Sequence, residues 1–160
     1  ARRYPDQNWL GVEIRFKRVI LCAKKIQAAE AGNARICRYD AWFLSDLFDA
    51  GEVAGLYTNH PDPWPKERHE KKRLMGPLFA RWAADALAPG ARWRLKTDFP
   101  GNVDRVVDAI ADLPFRVLGR SDDVENTGTP WPEDDDIVTN YQSKFYKKNE
   151  PIYALEVERL

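Results

Sequence analysis

Positive and negative charge cancel in this sequence, with 25 Lys and Arg against 25 Asp and Glu. The missing net charge excludes steering of a polyanion by the whole molecule, so any nucleic-acid contact must come from a local cluster. Cysteine is scarce: only Cys22 and Cys37 are present, 15 positions apart and beside apolar residues. That excludes a disulfide framework and offers no zinc spacing, so both are expected as buried thiols in a reducing compartment. No apolar run approaches the roughly 18 residues that span a bilayer, and no charged-then-apolar leader precedes the first strand-like segment. A cytoplasmic protein with no membrane partner is expected. Repeats, low-complexity tracts and a Ser-His-Asp constellation are absent too. His60 has no second His or Cys at ligand spacing, which makes it a packed loop residue rather than a metal ligand, and no metal is expected.

What remains is an ordinary globular balance. Hydrophobic residues make up 44% and charged residues 31%, which suits one folded domain over residues 1–160. The chain opens Ala1-Arg2-Arg3-Tyr4-Pro5-Asp6, a helix-end-and-turn pattern with no apolar stretch before it. Strand-like and helix-like runs then alternate. Trp9 to Ile14 reads as a strand, and Val19, Ile20, Cys22, Ala23 and Ile26 mark a helix that stops at Gly32. Ala34 to Tyr39 is a strand, Trp42 to Phe48 a helix, and Val53 to Tyr57 a buried strand. Leu74, Leu78, Trp82, Ala86 and Leu87 recur at helical spacing until Pro89-Gly90. Arg92 to Thr97 alternates as a strand, Val103 to Leu113 is a helix, and Phe115 to Gly119 is a strand. Lys144 to Tyr146 and Ile152 to Val157 read as one long strand, or as a hairpin across Asn149-Glu150-Pro151.

Alternating strands and helices predict a mostly parallel sheet with helices on both faces and function in the strand-exit loops. Four acids stand at those exits: Glu13, Asp40, Asp62 and Asp98. Any one of them is either a cap of the following helix or turn or part of a site; four together favour a site, with Glu13 the candidate to accept from ribose hydroxyls. Asp40, in Asp40-Ala41-Trp42, either accepts from an adenine amino group or caps the following helix. In the loop from Asn59 to Leu74, prolines at 61, 63 and 65 preset the backbone around Asp62 and Trp64. Directly after them, Lys66, Arg68, Lys71, Lys72 and Arg73 outweigh Glu67 and Glu70 by a local net of +3. Such a run is either a solvated face or a site for a polyanion, and the interleaved Trp64 and His69 are the stacking surfaces that RNA recognition uses.

The sequence resembles the bacterial tRNA (guanine-N7)-methyltransferases of the TrmB family. Pro61-Asp62-Pro63-Trp64-Pro65-Lys66, Arg68-His69 and Lys71-Lys72-Arg73-Leu74 match the family's signature, with Lys72 where Arg is common. Gly11-Val12-Glu13-Ile14, Asp40-Ala41, Lys96-Thr97-Asp98 and Thr139 to Phe145 match around it, so the likeness covers essentially the whole chain. It implies a class I S-adenosylmethionine-dependent methyltransferase fold of α/β, Rossmann-like type. The implied reaction moves a methyl from S-adenosylmethionine directly to N7 of a guanine in the tRNA variable loop, leaving S-adenosylhomocysteine. The implied cofactor residues are Glu13, Asp40, Ala41 and Asp62. Lys66, Asp98, Thr139 and Gln142 are implied at the guanine. Asp62 and Asp98 are expected to be catalytic, stabilising the purine cation. Arg68, His69, Lys71, Lys72 and Arg73 are expected on tRNA phosphates, and the enzyme is expected to act as a monomer.

Two departures bear on this. Gln142 stands where the family has Glu, keeping a hydrogen-bond acceptor without the charge. The family's glycine-rich cofactor loop and the strand leading into it belong upstream of Ala1, so the natural polypeptide is expected to extend there. Without that segment, cofactor binding and activity are expected to be weak. Two other readings stay open: a non-catalytic RNA-binding relic of this fold, and a small-molecule methyltransferase. The acidic tract Glu133-Asp134-Asp135-Asp136 is expected to be a solvated or mobile loop, and Lys17, Arg18, Lys24 and Lys25 the solvated face of their helix.

Overall fold

The computed structural model describes all 160 residues. The chain divides into two compact units, Ala1–Leu47 and Phe48–Leu160. No helix is long and apolar enough to cross a membrane.

In the first unit, β1 (Trp9–Glu13) and β2 (Ala34–Arg38) pair in parallel, with α1 (Phe16–Ala28) between them in the chain. Trp9 lies opposite Ala34 and Glu13 opposite Arg38, so the carboxyl ends of both strands stop together. The amide of Asn33 reaches the carbonyls of Ala1, Tyr4 and Gln7 and fixes the opening turns against the start of β2. The expected helix from Trp42 is a short 3₁₀ turn, Ala41–Asp46, because Phe43 leaves helical geometry at φ −116° and ψ 25°. The expectation of buried thiols is also corrected: Cys22 is exposed and Cys37 half-buried. Cys22 lies on α1, which buries none of its residues, since a two-stranded ladder is too narrow to cover it. The basic face of α1 is solvated as expected, with Arg18 reaching back to Glu13 at 3.5 Å.

The second unit is a four-stranded sheet in the order β3 (Val53–Asn59), β4 (Leu87–Thr97), β6 (Tyr153–Arg159), β5 (Phe115–Ser121). The β3–β4 ladder is parallel, and β6 runs antiparallel to both its neighbours, leaving three of the four strands in one direction. On one face, Trp93, Leu95, Leu155 and Val157 are buried against α2 (Pro77–Ala86) and α3 (Pro100–Ile110). Those helices contribute Phe79, Ala80, Ala83, Val103, Val106 and Ile110. Burying a large apolar side chain stabilises by about 1.5–3 kcal/mol. α2 ends at Ala86, before the expected stop at Pro89-Gly90. Those two residues lie in an irregular stretch of β4, where Val53 pairs with Leu87 and Gly55 with Arg92, and Gly90 takes φ +80°.

The other face of the sheet carries Arg94, Lys96, Ala154 and Glu156, and the segment from Trp131 to Tyr146 covers it. Here the sequence expectations fail twice. Lys144 to Tyr146 is not strand but the end of α5 (Gln142–Tyr146), since Thr139 caps that turn from its side-chain oxygen to the Gln142 amide at 3.0 Å. Asn149, at φ +55°, then closes the helix into β6. Nor is the acidic tract solvated throughout: Glu133 and Asp134 are exposed, but the next two acids are not. Asp135 pairs with Arg94 at 3.1 Å and Asp136 with Lys96 at 2.7 Å, because β4 presents two cations on that face. A short α4 (Val124–Thr127) precedes the tract, and Val124, Trp131, Ile152 and Ala154 form a small apolar cluster with Phe145 and Tyr146.

Candidate active site

The parallel strands β3 and β4 end together at Asn59 and Lys96. His60 adds one more rung, its amide donating to the Lys96 carbonyl at 2.7 Å. From there the loop through Pro65 runs without proline donors, so its carbonyls depend on side chains from elsewhere. Asn102 of α3 donates to the Pro61 carbonyl at 3.1 Å, and Arg105 to that of Pro63 at 3.3 Å. Arg73 donates to the carbonyls of Trp64 and Pro65 at 2.9 and 3.3 Å. Asn102 is 1% exposed and also donates to Thr97 Oγ1 at 3.1 Å, tying the loop to the end of β4. Burial and the nearby Arg73 guanidinium lower the Arg105 pKa. His60 and Trp64 take left-handed φ of +50° and +40°, a strain that persists only where the surrounding structure enforces it.

This clamp leaves Asp62 and Lys66 exposed at the loop surface. The basic run that follows is the 3₁₀ turn Glu67–Lys72. Arg68 and Lys71 are exposed on it, while Lys72 lies over the Trp64 ring at 4.7 Å and His69 meets that ring edge-on at 5.2 Å. Arg73, engaged with the loop carbonyls, turns inward. The helix expected to start at Leu74 begins only at Pro77, so the cluster precedes α2 and is not its first turn.

Beside the loop, Asp98, at the exit of β4, receives the Tyr141 hydroxyl on Oδ2 at 3.3 Å, and its Oδ1 lies 3.9 Å from His60 Nδ1. The His60 and Tyr141 rings approach to 4.6 Å, and Thr139 Oγ1 meets His60 Nε2 at 3.4 Å. Burial lowers the His60 pKa to about 4, against a raising effect of Asp98, with Lys96 lowering it further. His60 is packed, as expected. Thr139 and Asp98, both expected at the guanine, therefore meet around it.

Gln142 is fully buried. Its Oε1 accepts from Lys96 Nζ at 2.8 Å, and its amide donates to the Tyr146 hydroxyl. Lys96, 4% exposed, spends its other donors on Asp136 and on the Ile137 carbonyl at 2.8 Å. Arg94 holds Glu156 at 2.8 Å and the Tyr57 hydroxyl at 3.0 Å. A buried cation is tolerated only with this degree of pairing.

The first unit places Glu13 and Asp40 at the carboxyl ends of its two paired strands. Glu13 Oε1 accepts from the Arg15 amide at 2.8 Å. Asp40 Oδ1 accepts from the Trp42 amide at 3.1 Å, the capping role weighed from sequence, and Ala41 follows it. Within this unit the two carboxylates sit at adjacent parallel strand ends, where α/β folds bind ligands.

Sequence reasoning missed Asn102, Arg105, Lys96 and Tyr141. One signal was available: Thr139-Asn140-Tyr141-Gln142 is a Thr-x-x-Gln capping box, which foretells a helix start where a strand was expected. Asn102 and Arg105, three apart on a helix that buries Val103 and Val106, left a fainter one.

Comparison with known proteins accords with this geometry. The family described as "Putative methyltransferase" matches residues 1–155. A tRNA (guanine-N(7)-)-methyltransferase of Bacillus subtilis is 35% identical over 159 residues, 99% of this chain and 72% of that protein. One from Levilactobacillus brevis is 36% identical over 97% of this chain and 70% of its own length. Among solved structures, a geranyl diphosphate C-methyltransferase of Streptomyces coelicolor, bound to S-adenosyl-L-homocysteine, superposes with a TM-score of 0.61. It is 14% identical, covering 99% of this chain and 66% of its own. A SAM-dependent O-methyltransferase of Thermotoga maritima gives 0.57 at 18% identity, over 98% of this chain and 51% of its own. At those identities the structures speak for the fold alone, the class I methyltransferase fold. With the curated relatives and the proline loop, the chain belongs to the tRNA (guanine-N(7)-)-methyltransferase family.

Proposed function

We propose that this chain methylates N7 of a guanine in tRNA with S-adenosylmethionine as donor, its two units acting as parts of one methyltransferase domain. The observation that carries the reading is the convergence of Asp98, Thr139 and the clamped Pro61–Pro65 loop at the ends of β3 and β4. The substrate class comes from relatives of that activity at 34–36% identity. Bound S-adenosylmethionine supplies an electrophilic methyl on a sulfonium.

The donor set of the first unit fits it. Carboxylates at adjacent strand ends suit ribose hydroxyls at Glu13 and the adenine amino group at Asp40, with Ala41 packing beside it. Guanine N7 has a free lone pair and no proton, so the chain needs neither a nucleophile nor a base. It must position the purine, an effect worth on the order of 7–11 kcal/mol when reacting atoms are aligned. Asp98 and Thr139 hold the guanine edge. Asp62 and Asp98 stabilise positive charge as it arrives on the purine ring. Lys66 contacts the substrate. Arg68, His69, Lys71, Lys72 and Arg73 belong to the tRNA side, with Arg68 and Lys71 on phosphates and Lys72 and Arg73 also holding the loop. Gln142 acts through Lys96, setting the 139–142 segment from behind. The enzyme works as a monomer in the cytoplasm.

Transfer of labelled methyl to tRNA, read alongside tRNA binding at several salt concentrations, tests this. The double variant Arg68→Ala, Lys71→Ala is expected to lower the salt slope of binding by about two, close to one for each phosphate left unneutralised. An unchanged slope would point to a small-molecule methyltransferase. Binding with no methyl transfer by the unaltered protein, supplied with donor, would favour the RNA-binding relic.

A further inference from the structure

We propose that His60 is a positioning residue of the guanine pocket, passing a fixed hydrogen-bond direction from the Thr139 hydroxyl to the Asp98 carboxylate. The inference rests on the proposed guanine pocket and assigns a part to a residue that the reaction itself does not use.

The direction follows from donors and acceptors. The Gln142 backbone N–H donates to Thr139 Oγ1 at 3.0 Å, so the hydroxyl proton is free to point elsewhere. It faces His60 Nε2 at 3.4 Å. An Nε2 that accepts leaves the proton on Nδ1. Nδ1 is buried and makes no hydrogen bond, and the carboxylate facing it is Asp98, with Oδ1 at 3.9 Å. The other carboxylate oxygen already receives Tyr141, whose ring packs on the imidazole. A movement of Asp98 by about an ångström brings Nδ1–H within ordinary hydrogen-bond range. Both oxygens are then oriented from behind, with their remaining lone pairs left for the purine's N–H edge.

The left-handed backbone at His60, φ +50°, turns the ring into this position directly after the last β3–β4 rung. Side-chain exposure of 8% leaves no route for the ring to act on solvent or on phosphate. Burial also keeps the imidazole neutral at physiological pH. A neutral donor suits a purine that becomes cationic during methyl transfer, because an imidazolium there would repel it.

Three variants test the role, each checked first for an unchanged melting temperature and donor affinity. His60→Phe keeps an aromatic ring against Tyr141 and removes both nitrogens. It is expected to raise KM for tRNA about tenfold, the worth of one oriented hydrogen bond, with kcat changing less. His60→Gln retains a polar group at the Nε2 distance with nothing at Nδ1, and is expected to match it. His60→Asn restores an N–H near the Nδ1 position and is expected to recover most of the loss. Wild-type KM in His60→Phe and His60→Gln, or no recovery in His60→Asn, overturns the proposal. If His60→Phe does not fold, the contrast of Gln with Asn decides. Asp98→Asn separates the two claims. If it leaves KM unchanged, the guanine pocket itself is misplaced. If it raises KM while the His60 variants do not, only the role of His60 falls.

Discussion

Lys96 shows how much a single buried side chain can organise. It joins Asp136, Ile137 and Gln142 behind the pocket while almost wholly withdrawn from water. Lys96→Met is expected to cost about 3–5 kcal/mol, because Asp136 then loses its partner in a mostly buried site; urea unfolding measures it. His60 gives a pH signature. Its folded pKa, about 4, lies below the ordinary 6.5, so below pH 6.5 the unfolded chain takes up a proton that the folded chain refuses. Stability is therefore full above 6.5 and falls as pH drops toward 4. Groups facing the ring are Asp98, Lys96 and Tyr141. Urea midpoints at about pH 7 and 5 should differ less in His60→Phe than in the parent. The sequence disclosed the acids and the basic run, since their chemistry is local. It hid the partners of the acidic tract, because pairing Asp135 with Arg94 spans 41 positions that only the fold brings together.

At the scale of elements, strands and helices with strong periodicity were legible and the short segments were not. β1 to β3, β5, α1 and α3 fall within a few residues of where alternation and spacing put them, while β4 begins five residues before its expected start at Arg92. α5 did not, because Phe145 and Tyr146 carry strand propensity while the Thr139 side-chain cap, a more local rule, decides the geometry. The extended run at Leu87 was hidden by a helical apolar spacing that continues one residue past the true end. In the function proposed above, the proline loop is the element on which catalysis turns. Its rigidity is partly intrinsic and partly supplied by α3, so Asn102→Ala should loosen it while leaving the helix intact. The expected stability loss is about 1–3 kcal/mol, for the unmet Pro61 carbonyl and the lost bonds to Thr97 and Arg105. A fall in kcat with donor affinity unchanged would accompany it, measured by single-turnover methyl transfer.

Across the whole molecule, stability is unevenly distributed. The first unit buries Ala31, Ala34 and Leu44 as its apolar residues, whereas the second buries Trp93, Leu95, Phe79, Leu155 and their neighbours. Regions with little buried apolar surface open first. Brief trypsin treatment should therefore cut at Lys17, Arg18, Lys24 and Lys25 before any bond in β4 or β6, as mass spectrometry of the time course would show. Composition left no mark of this division, since Leu47 and Phe48 meet without a proline- or serine-rich linker. The proline loop has a last consequence, for spectroscopy. Eleven residues of the chain are proline and carry no backbone N–H, and three of them stand at 61, 63 and 65. An amide nuclear magnetic resonance spectrum carries only the Asp62 and Trp64 signals between positions 61 and 65. The indole of Trp64, with the Lys72 ammonium over its face, is the natural place to listen for tRNA instead.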